Sequence, residues 1–212
     1  MKEKNGRDMV LPSNKKIIIA LIVILTPIII IAATGYYYFQ KSNSRAARYF
    51  HTLKDVKDIK DIYQEQIAIW RTMAAYKGDD KILREAYYKF SKKSDIIQDK
   101  YFNLRMKFID DHESHIAEKI EKIKSFHQKT SEKYISVIFE NSAAFLPYDQ
   151  SVLMRDDEIK IFDELDYISK EIMLLASKEI SKSSSYYFVF FVFLAVLVII
   201  SVFIVILIVR VK

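Results

Sequence analysis

The chain contains no cysteine, which excludes a disulfide framework, a thiol nucleophile and a cysteine-ligated zinc site. Glycine and proline each occur three times in 212 residues, far below ordinary usage of roughly 7% and 5%. Few tight turns can be made from such a composition, and long helices are the economical reading. There is no Gly-rich phosphate loop, no HExxH and no Ser-His-Asp signature, and the carboxylates have the spacing of helix surfaces. No enzymatic activity, cofactor or metal is expected. The net charge of +6 is also missing from the middle of the chain, where residues 40–185 carry 26 basic against 25 acidic side chains. The sequence pI of 9.2 thus reflects the two ends, and without a single-sign field no nucleic-acid partner is expected.

Two long apolar runs stand out. Residues 17–39 and 186–209 are uncharged and rich in Ile, Val, Leu, Phe, Ala and Tyr, and each is long enough to cross a hydrocarbon layer of about 30 Å as a helix. The mean hydropathy of +0.02 averages these spans with a polar middle. The first run follows Lys15 and Lys16 and ends in Tyr36, Tyr37, Tyr38 and Phe39; the second opens with Tyr186 and Tyr187 and closes at Arg210. Both tyrosine clusters lie toward the intervening domain, as interfacial belts of a two-span hairpin would. A cleaved signal peptide with its site at Ala33-Thr34-Gly35 is the rival reading of the first run. The apolar character continues past that site, which favours an uncleaved anchor. The basic residues abutting the first span favour cytoplasmic termini and an external domain. Neither run holds an ionisable residue, which argues against a channel or transporter.

The boundaries read as a basic cytoplasmic segment over 1–16, a transmembrane helix over 17–39, a helical-bundle domain over 40–185, a second transmembrane helix over 186–209 and a short tail over 210–212. Within the bundle domain, weak points at Gly78-Asp79-Asp80, Asp110-Asp111-His112-Glu113 and Pro147-Tyr148-Asp149 mark off four segments of roughly 30 to 38 residues. Each carries an apolar stripe at alternating three and four spacing. The first seam runs through Tyr49, Leu53, Val56, Tyr63, Ile67, Trp70 and Ala74, with Lys60 interrupting it and Ile59, Ile62, Ile69 and Met73 widening it. The second runs through Leu83, Tyr87, Phe90, Ser94, Ile97, Tyr101, Leu104 and Phe108. The third takes Ile116, Ile120, Ile123, His127, Thr130, Tyr134 and Val137. The fourth takes Met154, Ile161, Leu165, Ile168, Ile172 and Leu175, with Glu158 and Glu179 at its ends. Asp79 or Asp80 is expected to cap the second helix, Gly78 to end the first, Pro147 to stop the third and Asp149 to cap the fourth. The fold class predicted is all-α: two transmembrane helices flanking an antiparallel up-down-up-down four-helix bundle with long, coiled-coil-like helices.

In helix count, helix length and topology, residues 17–209 resemble the four-helix-bundle sensor modules of bacterial chemoreceptors and some histidine kinases, an architectural resemblance without a shared motif. It implies a non-enzymatic bundle that senses a ligand or protein. Those receptors continue into a signalling domain after the second span, whereas here residues 210–212 follow. The expectation is therefore lateral signalling to a membrane protein partner, or a homo-oligomer, in the lipid bilayer.

Trp70, Arg71, Arg84 and Arg155 fall within about 12 Å of axial height at the membrane-distal end of such a bundle. Arginine suits carboxylate or phosphate recognition, so these four are the candidate ligand-binding residues. Asp79, Asp80, Asp156, Asp157 and Glu158 lie at the same height and compete as surface ion pairs. His127, on the third seam, is either a hydrogen-bonded core or interface residue or a pH sensor. Asp111, His112, Glu113, His115 and Glu118 read as a charged turn rather than half a metal site. The principal alternative function is a structural or accessory subunit of a secretion, envelope or immunity complex. An inverted topology, with the domain as a cytosolic tether, is separable by labelling cysteines introduced at Ser131 and Ser13. The Ile-, Lys-, Tyr- and Phe-rich composition suits a bacterial or phage chain, and the cell (inner) membrane is the expected location.

Overall fold

The computed structural model describes residues 13–76, 78–140 and 148–210, with side chains at 13–21, 24, 140, 148–153, 205 and 207–210 outside the description. The basic segment ahead of residue 13, Pro147 and the last two residues therefore lie outside the described residues. So does the Asp149 side chain. Four helices occur among the described residues: α1 (Ser13–Ala75), α2 (Asp80–Asp110), α3 (Ser114–Glu140) and α4 (Tyr148–Arg210). No strand occurs among the described residues.

The chain divides into two compact units, one formed by residues up to Arg45 together with those from Lys178 onward, the other by Ala46–Ser177. In the second unit, ion pairs give the topology. Lys100 meets Asp58 and Lys107 meets Asp55 between α2 and α1; Arg105 meets Glu121 between α2 and α3; Lys133 meets Asp157 between α3 and α4. Lys60 pairs with Asp166, and Arg71 with Glu158, between α1 and α4. In each pair of neighbours traced by two such contacts, partner numbers fall on one helix as they rise on the other, so these neighbours are antiparallel. The shared core holds Val56, Ile59 and Tyr63 of α1, Ile97, Tyr101 and Leu104 of α2, Ile116, Ile120 and Ile123 of α3, and Ile161, Leu165 and Ile168 of α4. A second cluster joins Trp70, Met73, Leu83, Phe90, Tyr134, Ile138 and Met154.

The α1 seam is rotated from the expected one. Thr52, Val56, Ile59, Tyr63, Gln66, Trp70 and Met73 are all buried, a strict 4-3 series. Tyr49, Val56, Tyr63 and Trp70 belong to either register, so apolar spacing alone leaves the choice open. The structure centres on the series that carries Gln66. Lys60 moves to the rim, where Asp166 neutralises it. In α2, Tyr87 is exposed and Ala86 is buried in its place.

The turns use different devices from those expected. Asp79 caps α2, its carboxylate accepting from the Lys81 and Ile82 amides at 3.0 and 3.1 Å. Gly78 does not adopt positive φ, so glycine is not what ends α1. The left-handed residue is His112, at φ 62°, which lets Glu113 N donate to Phe108 O at 2.8 Å and closes α2 in the manner of a Schellman motif.

In the first unit, Tyr38 stacks on Tyr186 with centroids 5.7 Å apart, and Phe39 lies 5.6 Å from Tyr187. Ser42 donates to Glu179 O at 2.7 Å and also lies 3.0 Å from Glu179 Oε2. Burial pushes the Glu179 carboxyl up, but hydrogen bonds from Lys182 and Ser42 and the Lys182 and Arg45 charges outweigh it and hold the group below the usual range. Among the described residues one helix is long and apolar enough to cross a membrane: the stretch within Met154–Ile204 has a mean hydropathy of 3.1, and none of it is buried. The first apolar run is helical, with residues 17–21 and 24 among those whose side chains lie outside the description.

Candidate functional site

Position along α1 and α4 brings three of the four candidate residues together. Trp70, Arg71 and Arg155 line one groove, with Met154, Glu158, Ile159 and Phe162 as the other walls, enclosing about 450 Å³. The antiparallel register that pairs Lys60 with Asp166 two to three turns away sets Arg71 opposite Glu158. Arg84 lies on the exposed side of α2 and does not line the groove.

Glu158 organises the groove. It is almost buried, at 8% exposure. One carboxylate oxygen lies 3.2 Å from Arg71; the other lies 3.2 Å from the Tyr134 hydroxyl, which is equally close to Met154 O. The indole of Trp70 donates to Tyr134 O at 3.0 Å, and the two rings lie 4.9 Å apart. Trp70 thus has its polar edge occupied and presents ring surface. Burial pushes the Tyr134 phenol well up, so it acts only as a neutral donor. Arg155 is exposed and makes no ion pair among the described residues, since Asp157 is taken by Lys133 and Glu158 by Arg71.

Behind this groove the core contains a polar layer. Phe162 packs on Tyr63, which packs edge-on against His127 at 5.3 Å, and Tyr101 lies on the same imidazole at 6.0 Å. His127 is fully buried. Its Nε2 lies 2.8 Å from Gln66 Oε1 and its Nδ1 lies 2.8 Å from Gln98 Nε2. Burial pushes the imidazole down to about 4. The Tyr101 hydroxyl is buried without a hydrogen-bond partner, and burial pushes the Tyr63 and Tyr101 phenols well up.

Elsewhere, His112 and His115 are exposed; His115 reaches Glu113 at 3.6 Å and Glu171 at 3.8 Å. No three His, Asp or Glu side chains among the described residues converge as a metal would require. Sequence reading missed Met154, Ile159 and Phe162 as groove walls, Tyr134 as the donor that holds Glu158, and Gln66 and Gln98 as the histidine's partners. The signal for Gln66 was the second 4-3 series, through Ile59 and Met73; Gln98 sits one residue off the α2 seam and gave none. No protein-family model, curated protein or solved structure matches this chain.

Proposed function

We propose that this chain is a non-enzymatic, two-span protein of a bacterial inner membrane. Its helical bundle lies outside the cytoplasm, binds a small anionic molecule in the Trp70–Arg71–Arg155 groove, and passes the event laterally to a membrane partner. The observation that carries the reading is the groove itself: an exposed arginine, without an ion pair among the described residues, beside a buried carboxylate and aromatic walls, of a size that suits a small ligand. The membrane assignment draws support from the unburied apolar stretch of α4, a surface that water would not tolerate at this extent. The helical assignment of both α1 and α4 continues without a break across the unit boundaries, which suits a helix displacement as the signal.

An accessory-subunit role is the second reading, favoured by one surface feature. Phe102, Met106 and Ile109 are exposed at 49%, 37% and 39%, spaced as one stripe of α2, as a surface for another helix would be.

Cysteine labelling with a membrane-impermeant reagent tests the arrangement. Ser131 is buried and within 3.4 Å of Gln66, so Lys129, which is exposed, is the better bundle site. Labelling at Lys129→Cys but not at Ser13→Cys in intact cells is expected. The reverse pattern puts the bundle in the cytoplasm and removes the extracytoplasmic sensor.

A further inference from the structure

Charge within the groove narrows what it can hold. Arg71 and Arg155 contribute two positive charges and Glu158 one negative, so a single cation is left uncompensated. Glu158 is fixed from both sides, by Arg71 and by the Tyr134 hydroxyl, and cannot swing away from an incoming ligand. It repels a dianion, whose second charge would face it across the groove. A cationic ligand meets two guanidinium groups. A neutral apolar ligand would cover the Arg155 guanidinium without replacing its water, which is costly for a charge. One negative charge joined to an apolar body remains, the body lying against Ile159 and Phe162.

A second polar groove of the bundle holds its lysines against rings and a carboxylate. It lies between α3 and α4, encloses about 280 Å³ and is lined by Lys119, Lys122 and Lys160. Lys122 is held by Glu118 at 2.8 Å, Lys119 sits 3.2 Å over the Tyr167 ring, and Lys160 sits 4.6 Å over the Phe126 ring.

We infer that the Trp70–Arg155 groove binds a small monocarboxylate with an apolar or aromatic body, its carboxylate bridged to the Arg155 guanidinium. This names the ligand class of the proposed sensing site and rests on that groove being a binding site. Arginine meets a carboxylate through two parallel N–H···O bonds, and Phe162 and Ile159 give the body a surface with no polar demand.

Trp70 is the chain's one tryptophan, so indole fluorescence reports from the groove wall alone. The test titrates full-length protein in detergent micelles with phenylacetate, phenylacetamide, benzylamine and inorganic phosphate. Phenylacetate is expected to give a saturable change in Trp70 emission, weakened about tenfold or more by Arg155→Gln. It is expected to be unaltered by Arg84→Gln, a control for long-range charge. Phenylacetamide binding as tightly as phenylacetate, or Arg155→Gln and Arg84→Gln weakening it equally, overturns the assignment of the ligand class and leaves the groove as a binding site. Saturable binding of benzylamine or phosphate alone does the same. No saturable change with any of the four probes, in the wild type or in either variant, overturns the inference and the binding-site reading together. Both arginines are exposed, so both variants are expected to fold.

Discussion

The Gln98 side-chain nitrogen lies 2.8 Å from His127 Nδ1 and 3.3 Å from Lys124 O, and this pair of contacts fixes the protonation of a buried imidazole. A backbone carbonyl only accepts, so the Gln98 nitrogen is the NH₂ and donates to both. Nδ1 is then an acceptor, the proton sits on Nε2, and Nε2 donates to Gln66 Oε1. Gln66 is left to donate from its own NH₂ toward the Ser131 hydroxyl at 3.4 Å. One carbonyl orients the whole chain, and a second proton on His127 would face a donor.

From this follows a pH dependence. The folded His127 titrates near 4 against 6.5 unfolded. Between those values the unfolded state binds more protons, so stability is present in full above about 6.5 and is lost as pH falls toward 4. The loss amounts to roughly 3 kcal/mol. Chemical unfolding of wild type and His127→Gln from pH 7 to pH 4 checks it: the wild type should lose that much more than the variant. Parallel losses would show that the imidazole is not buried neutral.

The tyrosines of the core should respond with opposite signs. Tyr101 buries a hydroxyl that bonds to nothing, so Tyr101→Phe should leave stability unchanged or raise it by up to about 1 kcal/mol. Tyr134→Phe removes the donor to Met154 O and Glu158 and should cost about 1–2 kcal/mol. Thermal unfolding of the two variants side by side reads the difference.

Arg71 and Glu158 share an ion pair but not an environment, with side chains exposed at 66% and 11%. Removing the exposed partner by Arg71→Ala leaves the nearly buried Glu158 carboxylate with the Tyr134 hydroxyl alone and should cost about 1–2 kcal/mol. Glu158→Ala should cost more, because it leaves the Arg71 charge and the Tyr134 hydroxyl without their common acceptor and opens space in the core. Equal costs in a denaturant titration would mean that Glu158 is not the hub.

In the other unit, a Cβ placed on Gly35 would meet Phe190 Cδ2 at 3.0 Å and Cγ at 3.4 Å. Gly35→Ala asks the Phe190 ring to shift by a few tenths of an ångström and should be tolerated. Gly35→Leu overpacks the contact and should lower stability by about 1–3 kcal/mol, read as the melting shift in nanodiscs. A Gly35→Leu protein that melts like the wild type would show that the two apolar helices do not pack here.

Much of the fold was legible because helix periodicity and scarce turn residues leave few alternatives. The cap of α2 was legible as Asp79 or Asp80, because an aspartate before an apolar-periodic run has one favoured use, and Asp79 takes it. His112 did not read as a helix terminator, since positive φ at a non-glycine residue depends on the turn it closes. The bundle site was legible as a height, not as a face: Trp70, Arg71 and Arg155 share the groove, but Arg84 lies at the same level on a helix that turns it outward. Its choice of wall depended on the α1 register, which Tyr49, Val56, Tyr63 and Trp70 satisfy in two ways. The burial of Thr52, Ile59, Gln66 and Met73 separates them.

Lateral signalling is the central claim, and photo-crosslinking from the exposed face of the second apolar helix tests it most directly. Ile199, 67% exposed, is replaced by a photoreactive residue in the full-length protein, irradiated in native membranes and analysed by mass spectrometry. The account predicts one separate membrane protein with a cytoplasmic signalling domain, recovered in near-stoichiometric yield. Adducts only with lipid, or only with further copies of this chain, would contradict it.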